Sequence, residues 1–334
     1  MKIIIRVPNW IGDAVLALPA IESIRDNFPQ ANISIAAKNW VKDLFASSGL
    51  AEEVISLPDT NDVKALWAMA QDLKARSFDL GLLLTNSFGS AFLFYLARIP
   101  KRWGYGTDGR SVLLTRSVAL KESDAPRHQL FLYLDLLRGL GLKTVSPELK
   151  LCVSPSKSEA ARARLISMGL DLSKPLVIIC PGASYGPSKR WPPSHFARLA
   201  SLLQERREVE ILVIGSAEDS EVAATVASAM EKKPALLAGE TTLDDLAGLI
   251  SHASLFVSND TGPMHMANAL GVPVVAIFGP TDPAVTGPFK KPSVCLKKDV
   301  PCWPCSYRKC PYDHRCLMSI RPEEVFRVSQ ELWS

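Results

Sequence analysis

The chain has 334 residues, too many for one ordinary core and enough for two domains of about 150 residues each. Hydrophobic residues make up 47% and charged residues 22%, which excludes a disordered or fibrous chain. Lys and Arg total 38 against 34 Asp and Glu, and the net charge of +4 suits an anionic ligand or membrane surface without making a nucleic-acid footprint.

Residues 3–7 are predicted as the first strand. Pro8, Asn9 and Trp10 follow at once, so this apolar run has neither the length nor the cleavage site of a signal peptide. Gly12 suits a tight turn and Asp13 precedes a helical pattern. Pro19 deep inside that helix would cost about 3 kcal/mol, so the helix is expected either to kink or to start late. Strands are expected at 33–36, 53–57 and 79–84, with helices near 39–47 and 62–76. Such alternation predicts a parallel sheet covered by helices. The apolar stretches 80–84 and 91–97 fall far short of the roughly 20 residues of a membrane span. A cytoplasmic protein with reduced rather than bridged cysteines is therefore expected. A helix over 127–140 ends at Gly141. Residues 144–155, with Pro147 and Pro155, read as the approach to a linker, and 156–168 as a helix ended by Gly169.

A second alternating set begins with the wholly apolar strand 176–180, expected to be buried on both faces. Phe196, Leu199, Ala200 and Leu203 recur at helical spacing. Strands follow at 210–214, 255–258 and 272–278, helices at 220–230 and 243–251, and a last helix from Pro322. Two α/β halves in tandem place a ligand in the cleft between them, at the C-terminal ends of their strands.

Five segments at such strand ends could carry chemistry. Asn259-Asp260-Thr261-Gly262 opens a helix containing His265, and the orphan N–H groups of a helix start attract phosphate. An ordinary helix cap by Asp260 or Thr261 explains the same residues. Residues 181–191 carry Ser184, Lys189 and Arg190 among glycines. Lys189 could neutralise a departing diphosphate and Ser184 could bond a phosphate oxygen, unless the segment is a solvated loop. Glu218 could accept from ribose hydroxyls, or with Asp219 merely favour the next helix's positive end. Asp13 could act as general base on a hydroxyl, or cap its helix. Asn86-Ser87-Phe88 closes the fourth strand, and the nearby Arg102, Tyr105 and Arg110 could meet phosphates of an acidic acceptor or form a solvated loop.

Cys302, Cys305, Cys310 and Cys316 stand within fifteen residues of each other. Zinc ligation, disulfides and free structural thiols all remain open, because the spacing lacks two clean Cys-x2-Cys pairs.

Together these segments resemble glycosyltransferase family 9, the bacterial ADP-heptose:lipopolysaccharide heptosyltransferases, along essentially the whole chain. The Gly12-Asp13 turn and Asn259-Asp260-Thr261-Gly262…His265 belong to the whole family. Asn86-Ser87-Phe88, Pro181-Gly182-Ala183, Gly186-Pro187 and Lys189-Arg190-Trp191-Pro192 resemble its type II branch. The resemblance implies an α/β fold of two Rossmann-like domains facing across a cleft, the GT-B arrangement. Residues 1–170 would bind the acceptor, 171–320 the nucleotide sugar, and the helix in 321–334 would pack back on the N-terminal domain. It implies inverting transfer of L-glycero-D-manno-heptose from ADP-heptose to the heptosyl-Kdo–lipid A inner core, with peripheral contact at the inner membrane. Asp13 matches the base and Lys189 the lysine near the diphosphate. Ser184, Thr261, Gly262 and His265 match phosphate and heptose contacts, Asp260 belongs to the same motif, Glu218 matches the acidic residue near adenosine, and Asn86 lies in the acceptor-side motif. No cofactor is expected, and no obligatory metal, since no Asp-x-Asp stands at a strand end. The cysteine-rich segment departs from the family pattern. The alternatives are a family member with another acceptor, or a non-catalytic nucleotide-sugar binder that would not need Asp13. A nicotinamide-dependent dehydrogenase would want Gly-x-Gly-x-x-Gly, which neither 8–13 nor 182–189 supplies.

Overall fold

The computed structural model describes residues 1–46, 48–60, 62–120 and 126–332. Ser47, the expected end of one helix, and residues 333–334 of the final segment lie outside them. The chain divides into two compact units, Met1–Lys150 and Leu151–Ser334.

The first unit runs β1 (Lys2–Arg6), α1 (Ile11–Leu16), α2 (Leu18–Asn27), β2 (Asn32–Lys38), α3 (Asp43–Ala46), β3 (Glu53–Leu57), α4 (Val63–Ala75), β4 (Leu80–Leu83), α5 (Phe88–Leu96), β5 (Lys101–Tyr105), β6 (Arg116–Val118) and α6 (Leu130–Gly139). The second runs α7 (Pro155–Ser167), β7 (Leu176–Cys180), α8 (Pro193–Arg207), β8 (Glu210–Gly215), α9 (Ser220–Ser228), β9 (Ala235–Ala238), α10 (Leu243–Ile250), β10 (Leu255–Asn259), α11 (Gly262–Ala269), β11 (Val274–Ile277), α12 (Pro283–Thr286), β12 (Ser293–Leu296), α13 (Arg315–Met318) and α14 (Pro322–Leu332).

Each unit holds a six-stranded sheet, ordered β3-β2-β1-β4-β5-β6 and β12-β11-β10-β7-β8-β9. Every strand pair in them is parallel. Both sheets therefore have the same Rossmann-like order, with the direction of winding reversing between β1 and β4 and again between β7 and β10. Strands with helices on both faces need apolar side chains throughout, and β7 and β10 are buried at every residue. The loops after the two central strands of such a sheet diverge and leave room for a ligand.

Of the two expectations for Pro19 the late start holds: the helix that contains it begins only at Leu18. The helix breaks at Ala17, and Pro19 falls in the first turn of α2, where its missing N–H costs nothing. Asp62 caps α4 by accepting from Lys64 N at 3.2 Å and Ala65 N at 3.3 Å.

Two boundaries differ from expectation. Helix α7, expected in the first domain, packs on α10: Lys157 bridges to Asp244 at 3.2 Å and Asp245 at 3.0 Å, and Ala161 closes on Gly248. Leu151 N donates to Ala269 O at 3.2 Å, so the second unit begins there rather than at 171. Helix α14, expected to return to the first domain, buries Val325 and Val328 in the second unit's core with Phe196, Leu199 and Trp191. Its amphipathic face matches the apolar surface of α8 and the adjoining strands, which is nearer in sequence than any first-unit surface. Among the described residues, no helix is long and apolar enough to cross a membrane.

Candidate functional site

The loop from Pro181 to Trp191 leaves β7 at the second sheet's switch point, and Asn259 at the end of neighbouring β10 holds both its ends. The Asn259 amide Nδ2 donates to Pro181 O at 2.7 Å and to Gly182 O at 3.3 Å. Its Oδ1 accepts from Trp191 N at 2.9 Å. Asn259 is fully buried, so these bonds satisfy a side chain that would otherwise cost about 1–3 kcal/mol to desolvate. Trp191 is fully buried as well, and its Nε1 donates to Ile320 O at 2.9 Å.

Inside that anchored loop, Lys189 turns to Asp260, the residue after β10. The two form a buried ion pair. The same carboxylate oxygen, Oδ2, accepts from Thr281 Oγ1 at 2.6 Å and Thr286 Oγ1 at 3.4 Å. Lys189 Nζ lies 4.6 Å from the centre of the Tyr185 ring, a cation–π contact. Asp260 thus orients Lys189 through contacts within the protein.

Thr261 occupies the N-cap position of α11 with extended backbone, yet its side chain makes no capping bond. Pro263 brings no N–H to the first turn. The plain-cap explanation therefore fails for the Thr261 hydroxyl. Gly262 is the first residue of α11, and His265 follows within it, buried. Ser184 is exposed on the opposing loop.

Beyond β8 the two acidic residues separate in role. Asp219 is buried and accepts from Ser216 Oγ at 2.7 Å, Ser216 N at 3.3 Å and Arg190 Nη2 at 3.1 Å. Gly182 is obligatory opposite it, because a Cβ there would lie 2.2 Å from Asp219 Cγ. Burial, and then the Asp219 charge, push the Cys180 thiol up to about 12. Glu218 stays exposed.

In the first unit, Asp13 stands in the first turn of α1, after β1. Gln129 Nε2 donates to Asp13 Oδ1 at 2.6 Å. Burial first, and the Asp13 charge second, raise the Tyr133 hydroxyl well above its ordinary range, so it stays protonated beside the carboxylate. Asn86 follows β4, the strand paired with β1, so both residues belong to the first sheet's switch point. Its backbone oxygen accepts from Thr107 Oγ1 at 2.9 Å. Its side-chain Oδ1 is buried and has no hydrogen-bond partner among the described residues. Nothing in the sequence pattern singles out Gln129, Thr281 or Thr286; only the fold brings them to these carboxylates.

Arg102, Tyr105 and Arg110 do not form a solvated loop, and Arg110 Nη2 is buried with no hydrogen-bond partner among the described residues. Arg110 is fully buried and donates to Tyr105 O at 2.8 Å, Ser87 O at 3.3 Å and Ser90 Oγ at 3.2 Å. Burial lowers its pKa to about 10. Arg102 Nε donates to Leu113 O at 2.6 Å, and the Tyr105 hydroxyl to Leu132 O at 2.7 Å. All three brace the backbone around α5 and β5.

Residues 66–315 match the model of glycosyltransferase family 9 (heptosyltransferase). The lipooligosaccharide heptosyltransferase 2 of Haemophilus influenzae is 30% identical over 308 residues, covering 89% of this chain and 88% of the relative. The lipopolysaccharide heptosyltransferase 2 of Salmonella typhimurium is 31% identical over 300 residues, 86% of each. The solved structure of E. coli ADP-heptose lipopolysaccharide heptosyltransferase II superposes with a TM-score of 0.86 at 28% identity, covering 100% of this chain and 98% of that one.

Proposed function

The chain belongs to glycosyltransferase family 9, and on that premise we propose that it is an inverting heptosyltransferase of the type II branch. It moves L-glycero-D-manno-heptose from ADP-heptose to the heptosyl-Kdo–lipid A inner core of lipopolysaccharide. The second unit takes the nucleotide sugar and the first takes the acceptor. The observation that carries this reading is the Lys189–Asp260 pair beside the uncapped start of α11, at the switch point of the second sheet.

Lys189 and the first N–H groups of α11 meet the diphosphate, with Thr261, Gly262, Ser184 and His265 on its oxygens and the heptose. Asp260 holds Lys189 in place, and exposed Glu218 accepts from the adenosine ribose. Asp13 takes the proton from the acceptor hydroxyl, whose oxygen bonds to the anomeric carbon as the bond from that carbon to the diphosphate breaks. The leaving ADP carries away the electron pair, and Lys189 offsets the charge it gains. One such electrostatic contact accounts for roughly 10²–10³ in rate. Gln129 fixes the Asp13 carboxylate, and the orphaned Asn86 Oδ1 accepts from the acceptor sugar. No cofactor enters this chemistry. The lipid A of the acceptor brings the enzyme to a membrane surface as a peripheral visitor.

Incubation with ADP-heptose and a truncated inner-core acceptor, read by mass spectrometry, tests the proposal. A mass gain of one heptose is expected. ADP-heptose binding without that gain would leave a nucleotide-sugar binder instead.

A further inference from the structure

The proposed reaction makes no use of Cys302, Cys305, Cys310 and Cys316. Residues 297–314, between β12 and α13, contain no helix or strand. An ordered run of that length without secondary structure needs something other than a backbone ladder to hold it. All four half-buried thiols line one small cavity, with Ser188 and His314 on the same wall. Five cations stand in this stretch, Lys297, Lys298, Arg308, Lys309 and Arg315, against Asp299 and Asp313. They offset the two negative charges of a divalent ion held by four thiolates.

The segment also touches the loop that bears Lys189. Tyr185 donates from its hydroxyl to Ser306 O at 2.6 Å, Ser188 N donates to Arg308 O at 3.3 Å, and Ser188 Oγ donates to Tyr307 O. A Cβ on Gly186 would meet Arg308 O at 2.4 Å, so the two backbones are in contact. On the other side, Ser306 N donates to Pro280 O at 2.9 Å and Trp303 Nε1 to Thr281 O at 3.2 Å. Thr281 is the residue whose hydroxyl bonds the Asp260 carboxylate.

We propose that Cys302, Cys305, Cys310 and Cys316 bind one thiophilic divalent metal ion, and that this site buttresses the Lys189–Asp260 pair from behind. Four thiolates round one point suit a tetrahedral ion such as zinc, in a structural rather than catalytic role. Among the described residues the thiols ring the cavity wall without three of them meeting at ligand distance. Binding therefore draws them inward, releases their protons and ties 302–316 into a closed loop. The buttressing role rests on the proposed function of Lys189; the metal site itself does not.

The test uses the full chain purified from metal-supplemented medium under reducing conditions. Elemental analysis should find about one metal ion per chain, released by a mercurial in step with its thiols. Cobalt substitution should give a sulfur-to-cobalt charge-transfer band. Cys305→Ser and Cys310→Ser should each weaken metal binding by at least about 10-fold, the size of effect that losing even an outer-shell partner produces. Calorimetry on the wild-type chain before and after metal removal should show weaker ADP binding in the stripped form. Metal content near zero with four alkylatable thiols, or disulfides among the four cysteines in the native chain, would overturn the site. Unchanged ADP affinity after stripping would overturn the buttress, and failure of heptose transfer alone would touch neither the metal count nor the cobalt spectrum.

Discussion

Lys189 and Asp260 form a buried ion pair between the loop after β7 and the residue after β10, with the Thr281 hydroxyl on the same carboxylate oxygen at 2.6 Å. Removing one member of such a pair strands a desolvated charge, at a cost of about 3–5 kcal/mol. Asp260→Ala should lower the thermal midpoint far more than Glu331→Ala, which breaks the exposed Arg327–Glu331 pair and should cost only about 0.3–0.5 kcal/mol. Equal shifts in the two variants would contradict the pairing. Lys189→Ala should weaken both ADP affinity and turnover. Unchanged calorimetric binding together with unchanged turnover would remove Lys189 from the diphosphate site.

Asp13 and Gln129 separate chemistry from positioning. Asp13→Ala should abolish transfer while ADP binding survives, because the residues proposed to bind the donor all lie in the other unit. Transfer at the wild-type rate would remove Asp13 as the base. Gln129→Ala removes one hydrogen bond that orients the Asp13 carboxylate and should lower kcat by about 10–100-fold with KM for ADP-heptose unchanged. A change in KM alone would point to a role in shape rather than in aiming the base.

The Trp191 indole fills the second unit's core and answers the carbonyl of Ile320. Trp191→Phe keeps an aromatic ring but leaves that carbonyl unanswered, for a loss of about 1–3 kcal/mol. Trp191→Ala also opens a cavity, for about 3–5 kcal/mol. Denaturant melts should rank the variants in that order, and a neutral Trp191→Phe would mean that water replaces the indole.

Cys152 is exposed, whereas burial holds the Cys180 thiol up at about 12. Alkylation proceeds through the thiolate, so near neutral pH Cys180 is protected by both its titration and its burial. Peptide mapping after timed iodoacetamide treatment should find Cys152 modified early and Cys180 only on unfolding. Early labelling of Cys180 would show that the start of the 181–191 loop opens in the native state.

Much of the fold is legible in residue pattern, because buried parallel strands announce themselves: β7 begins and ends where its apolar run does. Strands β5, β6, β9 and β12 are not legible. KRWGY and the edge strand RSV both carry charges, and their apolar content is too thin to read. Helix α5 hides in an apolar stretch without polar punctuation. Strand order is a long-range property that no local pattern contains, so the juxtaposition of β7 with β10, which joins Lys189 to Asp260, had to come from the structure. The motif residues themselves were readable. Their partners Gln129, Thr281 and Thr286 were not, since nothing in their own surroundings marks them. Helix α14 shows the limit of analogy: its apolar face is plain in the sequence, but which surface it covers is decided by packing.

The Asn259 amide has a consequence for how this protein tolerates change. By bonding Pro181 at one end and Trp191 at the other, a single side chain measures the length of the loop between them. Most surface loops absorb an inserted residue as slack. Here both ends are pinned to the same amide, so an extra residue has nowhere to go but outward, carrying the lysine with it. The loop behaves as a hoop of set circumference, and insertions or deletions within it should be rejected even where individual substitutions are accepted.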